Sequence, residues 1–90
     1  MLQYEIKITG RVQGVGYRYF VHGIATRHNI NGWVRNTYSG GILVMAKGEK
    51  TDIETFLDHL RVGPPLARIT NFIKQSVPVD ESLKGFRIKY

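Results

Sequence analysis

The chain has 90 residues, 42% hydrophobic and 22% charged, a composition typical of one globular domain and not of a disordered segment. It contains no cysteine, which excludes disulfides and thiolate metal sites, and no apolar run reaches the roughly 18 residues of a membrane span. The net charge is +6, and the first 45 residues carry five basic side chains and only one acidic. A chain of this length is expected to form a single domain over residues 1–90, and its positive first half is expected to attract an anion. Because no export signal opens the chain, we expect a cytoplasmic protein.

The first half of the chain predicts a strand, a glycine-rich connection, a helix and a second strand. Residues 2–9 alternate apolar and polar side chains, which indicates a half-buried strand. Apolar residues then recur with the spacing of one helical face, namely Tyr17, Phe20, Val21, Ile24 and Ala25. Gly23 falls within this helix without a local reason. We expect Asn31 and Gly32 to end the helix, and residues 33–37 to form the second strand.

The second half predicts a hairpin partner, a second helix and two further strands. Residues 38–41 read Tyr-Ser-Gly-Gly, a turn pattern, so residues 42–47 are expected to pair antiparallel with the second strand. Thr51 and Glu54 have the spacing of a capping box at the start of a helix. Behind it lies an apolar stripe of Ile53, Phe56, Leu57 and Leu60. Gly63 and two prolines end this helix, and strands are expected over residues 68–77 and 86–90.

The element order is therefore β-α-β-β-α-β with an extra C-terminal strand. This order indicates the α+β class and a ferredoxin-like α/β sandwich, with two helices on one face of a mostly antiparallel sheet. In this topology the first two strands run the same way with another strand between them. The loop after the first strand and the end of the second should then lie about 10 Å apart at one sheet edge, where Asn36 falls. We expect Phe20, Trp33 and Phe56 to lie in the core.

Residues 10–18, which read Gly-Arg-Val-Gln-Gly-Val-Gly-Tyr-Arg, combine the features of an anion-binding loop. Glycines allow a sharp turn and a close approach of the backbone, and the amides at a helix start attract negative charge. Arg18 adds a permanently charged fork. Nucleoside-triphosphate and dinucleotide fingerprints are absent, since no Gly-Lys-Ser/Thr follows and the third glycine is missing. The three histidines are not spaced as metal ligands, and no catalytic Ser-His-Asp or Cys-His set is evident.

Two segments resemble the signatures of a known family. Residues 10–18 resemble the first acylphosphatase signature, and residues 32–36, Gly-Trp-Val-Arg-Asn, resemble the second, with Ser39-Gly40 in place of the common Asp-Gly. Residues 63–68 and 85–88 also suit that family, so the resemblance covers the whole chain. It implies hydrolysis of a carboxyl–phosphate anhydride to a carboxylate and inorganic phosphate, without metal or cofactor. It assigns phosphate binding to Arg18 and water positioning to Asn36, with a cradle formed by the backbone amides of Gln13, Gly14, Val15, Gly16, Tyr17 and Arg18.

The sequence leaves two alternative interpretations. Ferredoxin-like sheets also bind single-stranded RNA through exposed aromatic residues, and this chain is basic with five tyrosines and four phenylalanines. The aromatic RNA motif is missing, however, and residues 42–47 contain no aromatic side chain. The chain could also be an acylphosphatase-like domain of a larger maturation or carbamoyl-transfer protein, but no zinc-binding cysteines or further domain accompany it. We expect a monomer that takes a small acyl phosphate, is inhibited by inorganic phosphate, and binds neither nucleic acid nor membrane.

Overall fold

Five strands and two helices make up the protein, and the structure, a computed structural model, describes residues 1–90 throughout. In chain order the elements are β1 (Leu2–Arg11), α1 (Tyr17–Arg27), β2 (Asn31–Asn36), β3 (Ile42–Gly48), α2 (Lys50–Val62), β4 (Arg68–Ser76) and β5 (Phe86–Lys89). Neither helix has the length and apolar character needed to cross a membrane. The element order is the one predicted from the sequence.

The five strands form one sheet in the order β4-β1-β3-β2-β5. Strand β1 pairs antiparallel with both β3 and β4, β2 pairs antiparallel with β3, and β5 joins β2 in parallel. Because β1 and β2 both run antiparallel to β3, they run the same way and end at the same edge of the sheet. The ferredoxin-like α+β fold is thus confirmed, and the loop after β1 lies at the edge where β2 ends.

The core lies between one face of the sheet and the two helices. Alternate strand residues such as Ile6, Ile8 and Val34 point toward the helices and are fully buried. The helices contribute the stripes predicted from the sequence: Tyr17, Val21, Ile24 and Ala25 from α1, and Ile53, Phe56, Leu57 and Leu60 from α2. Phe20 is partly buried against this cluster, and Phe56 is buried within it. The periodicity of apolar residues therefore predicted the buried faces correctly.

Trp33 does not lie in the core, contrary to the prediction. Its neighbours Gly32 and Val34 are buried, so the strand alternation places Trp33 on the opposite, open face of the sheet. There the Lys89 ammonium lies 4.6 Å from the centre of the indole ring, and the Arg35 guanidinium lies 5.9 Å from it. Cationic side chains, and not apolar core residues, therefore pack against the indole.

The junction between α1 and β2 also differs from the prediction. Helix α1 already ends at Arg27, and Asn29 follows with a φ of 57°, the left-handed conformation that asparagine tolerates. Gly32 lies inside β2, with a φ of 149°. A Cβ at this position would lie 1.8 Å from the carbonyl oxygen of Met45. This glycine therefore permits the close approach of β3, and it is not the residue that ends helix α1.

The predicted capping box at Thr51 is wrong. Helix α2 begins at Lys50, and the capping position is held by Glu49 without a side-chain hydrogen bond. Thr51 lies within the helix, where its carbonyl oxygen accepts a hydrogen bond of 3.1 Å from the Thr55 hydroxyl. The predicted end of the helix is confirmed, since Gly63 has a φ of 73° and its N–H donates to His59.

Gly23 is the only glycine within a helix, and the structure does not require a glycine there. A Cβ added there would meet no heavy atom within 4 Å, and its backbone lies outside the left-handed region. We expect Gly23→Ala to stabilise the protein by about 1 kcal/mol, because alanine loses less backbone entropy in a helix. Urea unfolding followed by circular dichroism measures this change.

Gly40→Ala is the matched control for this prediction. A Cβ at Gly40 also meets nothing within 4 Å, but its φ is 92°. The same substitution should therefore lower stability at position 40, where the left-handed backbone disfavours a side chain. A loss of stability in Gly23→Ala would contradict the assignment of position 23 as an unstrained helical site.

Candidate active site

The connection between β1 and α1 is a short loop with two left-handed glycines. Gly14 has a φ of 74° and Gly16 a φ of 76°, conformations that favour glycine. Gly16 precedes the first residue of α1, whose first turn carries no acidic side chain. None of the backbone hydrogen bonds outside the helices and strands has an N–H of residues 13–18 as its donor. The loop therefore presents unpaired amides at the positive end of a helix dipole, an arrangement suited to an anion.

The loop and the end of β2 form one cleft of about 220 Å³. Its wall consists of Val12, Gly14, Gly16, Tyr17, Arg18, Tyr19 and Asn36. The structure thus brings Arg18 and Asn36 together, as the predicted topology requires, and no acidic residue lines the cleft. Gln13 and Val15 do not line it: the Gln13 side chain turns toward the β2–β3 hairpin, and Val15 packs against the core.

Arg18 is held from the side of β5. Its Nη1 donates a hydrogen bond of 3.2 Å to the carbonyl oxygen of Lys89, and its Cζ lies 4.7 Å from the centre of the Tyr90 ring. These contacts use one N–H group and one face of the guanidinium, which has five N–H donors in all. The sequence around Arg18 predicts neither partner, because Lys89 lies 71 positions away and Tyr90 is the residue after it.

Tyr17 anchors the start of α1 to the core. Its side chain is buried, and its hydroxyl donates a hydrogen bond to the carbonyl oxygen of Leu60 in α2. Burial raises the pKa of the Tyr17 phenol well above its usual value, so the hydroxyl stays protonated and remains a donor. The side chain thereby holds the helix that carries the first-turn amides.

Asn36 is the last residue of β2 and pairs with Ile42 of β3. It is half-buried and lines a second cavity of about 180 Å³ with Arg35, Thr37, Tyr38 and Tyr90. Asn36 therefore lies where two cavities meet, one of them the cleft beside the glycine loop. A carboxamide in this place can both donate and accept hydrogen bonds but carries no charge.

The histidines lie outside the cleft. His28 and His59 stack on each other with ring centres 5.8 Å apart, and His22 packs edge-on against Phe86. No group of three or more His, Cys, Asp or Glu side chains is close enough to hold a metal ion. The candidate site therefore consists of backbone amides, one guanidinium and one carboxamide.

The chain is similar to acylphosphatases in both sequence and structure. The family model for acylphosphatase matches residues 4–88. The chain is 42% identical to the acylphosphatase of Bacillus pumilus over 89 residues, which cover 99% of both chains. The crystal structure of acylphosphatase from Bacillus subtilis has a TM-score of 0.95, with 36% identity and full coverage of both chains.

A larger protein contains a similar domain. The crystal structure of full-length HypF in its phosphate- and nucleotide-bound form matches 99% of this chain with 34% identity and a TM-score of 0.88, but only 12% of that chain is covered. The Bacillus relatives, in contrast, match along their whole length. With a family match over residues 4–88 and relatives above 30% identity from end to end, this chain belongs to the acylphosphatase family.

Proposed function

We propose that this protein is an acylphosphatase, which hydrolyses the carboxyl–phosphate bond of an acyl phosphate to a carboxylate and inorganic phosphate. The observation that carries the proposal is the single cleft in which the glycine-loop amides, Arg18 and Asn36 meet. Family membership supports the same reaction, because relatives similar over their full length carry this name.

The phosphate is bound by the loop and by Arg18. The backbone amides of residues 13–18 have no acceptor in any turn, loop or cap of the protein, so phosphate oxygens can accept from them. The helix dipole of α1 and the Arg18 charge both stabilise negative charge at that point. Since no acidic side chain lines the cleft, nothing there repels the dianionic phosphate.

Asn36 orients the attacking water. Its carbonyl oxygen accepts a hydrogen bond from the water and directs a lone pair of the water oxygen toward phosphorus. An amide is not a base near neutral pH, so the water proton passes to an oxygen of the substrate phosphate. The new bond joins water oxygen to phosphorus, and the bond from phosphorus to the acyl oxygen breaks. The carboxylate is a good leaving group, which lets positioning and charge stabilisation supply most of the rate.

The activity assay uses benzoyl phosphate in the presence of excess EDTA. We expect the rate of hydrolysis to be the same with and without EDTA, because the guanidinium and the amides supply the positive charge that a metal would provide. Inorganic phosphate should inhibit competitively, since it binds the same loop. No hydrolysis, or hydrolysis only after addition of a divalent metal, would contradict the proposal.

We further propose that the 90 residues act as one domain and as a monomer, without a nucleic-acid partner. Trp33 lies on the open face of the sheet, but cationic side chains already cover its ring. The β3 residues on that face, Leu43, Met45 and Lys47, add no aromatic side chain. Filter binding to single-stranded RNA at about 0.15 M salt tests whether the protein binds nucleic acid, because nonspecific binding is already weak at this salt concentration. Retention of RNA at micromolar protein would contradict it.

A further inference from the structure

The side chain of Gln13 connects the glycine loop to the β2–β3 hairpin. Its Nε2 lies 2.9 Å from the carbonyl oxygen of Thr37 and 2.8 Å from that of Gly41. Both partners are carbonyl oxygens, which can only accept, so the atom between them must be the NH₂ group. Both of its protons are therefore used, one on each end of the turn.

The turn that Gln13 contacts is itself closed by hydrogen bonds. The N–H of Thr37 donates to the carbonyl oxygen of Gly41 at 3.0 Å, and the N–H of Gly41 donates to the Thr37 hydroxyl at 3.0 Å. A Cβ at Gly41 would lie 2.7 Å from the carbonyl oxygen of Ile8, so the turn also lies against β1. Gln13 thus attaches the loop to a rigid unit, the hydrogen-bonded turn of residues 37–41.

This rigid unit begins one residue after Asn36. We propose that the Gln13 side chain is a positioning residue, which sets the distance between the phosphate-binding amides and the Asn36 carboxamide. The inference rests on the proposed function, since it assigns Gln13 a role in the attack of water on phosphate. The Gln13 side chain acts through the two halves of the site and does not itself line the cleft.

A small change of this distance has a large effect on the chemical step. Phosphorus is placed by the loop and water by Asn36, so their separation depends on how the loop and the hairpin are joined. Misplacement of reacting groups by about 1 Å can cost about 10²-fold in rate. Binding of phosphate, in contrast, uses backbone amides of the loop and the Arg18 guanidinium, and replacing the Gln13 side chain removes none of these groups.

The test compares Gln13→Met, which keeps the length of the side chain and removes both donors, with Gln75→Met as control. Gln75 is exposed on β4, away from the cleft, and undergoes the same chemical change. For Gln13→Met we expect kcat to fall by about 10- to 100-fold while the Ki of inorganic phosphate changes by less than about 3-fold. Gln75→Met should leave both quantities unchanged. If Gln13→Met does not fold, Gln13→Asn keeps a donor that is one methylene too short to reach both carbonyls, and should lower kcat without raising Ki.

A double-mutant cycle with Asn36→Ala separates positioning from stability. Once the water is no longer oriented by Asn36, its distance from the loop matters less, so Gln13→Met should lower the remaining kcat by less than about 3-fold. An equal loss of kcat in both backgrounds, or a lower Tm with wild-type kcat, would overturn the positioning role. Wild-type kcat in Asn36→Ala alone would instead contradict the proposed function.

Discussion

Replacing Asn36 with alanine is expected to lower kcat by about 10²–10³-fold and to leave KM for benzoyl phosphate nearly unchanged. The alanine variant retains the loop amides and Arg18, which hold the phosphate in the ground state. It loses the group that orients water, and this interaction matters only on the way to the transition state. Steady-state kinetics on purified protein at neutral pH give both constants.

Tyr38→Ala is the control for Asn36. Tyr38 follows two residues later and is fully exposed, so its removal should leave kcat unchanged. Asn36→Asp should be impaired at least as strongly as Asn36→Ala, because a carboxylate beside the cleft repels the phosphate dianion. A rise of KM with kcat preserved in Asn36→Ala would assign Asn36 to substrate binding in place of water orientation.

Replacing Arg18 with alanine should lower kcat/KM by about 10²–10⁴-fold. Two hydrogen bonds from a guanidinium to phosphate contribute about 1.5–3 kcal/mol each, and every 1.4 kcal/mol corresponds to about tenfold. Arg18→Lys keeps the charge but not the planar fork, and the ammonium cannot reproduce two parallel bonds. We therefore expect the lysine variant to remain at least about tenfold below the wild type in kcat/KM.

Arg11→Ala is the control for Arg18. Arg11 is exposed at the end of β1 and does not line the cleft, although it lies in the same segment of sequence. Its removal tests whether any positive charge near the loop suffices. Equal losses of kcat/KM in the Arg11 and Arg18 variants would show that the cleft attracts substrate by its general field, without a specific guanidinium contact.

The fold was predictable largely because two periodicities are clear in this chain. The alternation in β1 and the apolar stripes of both helices defined the buried faces, and the element order defined the sheet. The apolar character of Trp33 predicts a core position, but strand alternation beside the buried Val34 places its side chain on the open face. The function of Gly32 depends on Met45 in the neighbouring strand, a tertiary contact that a local pattern does not contain.

The residues of the candidate site were predictable from the sequence, but the side-chain contacts that hold them in place were not. The parallel course of β1 and β2 predicted that the glycine loop and Asn36 share a sheet edge, and the structure brings both into one cleft. The amide of Gln13 contacts residues 24 and 28 positions away, and Arg18 contacts one 71 positions away. Such contacts depend on the packed chain, so the sequence next to Gln13 and Arg18 does not predict these partners.

Hydrolysis of benzoyl phosphate in ¹⁸O-labelled water tests the proposed reaction most directly. Water held by Asn36 attacks phosphorus, so the label should appear in inorganic phosphate and not in benzoate. Phosphorus NMR detects the label through the shift of the phosphate resonance, and mass spectrometry reports on the benzoate. Label in the benzoate would show attack at the carbonyl carbon, and would contradict the assignment of the loop, Arg18 and Asn36 to phosphoryl transfer to water.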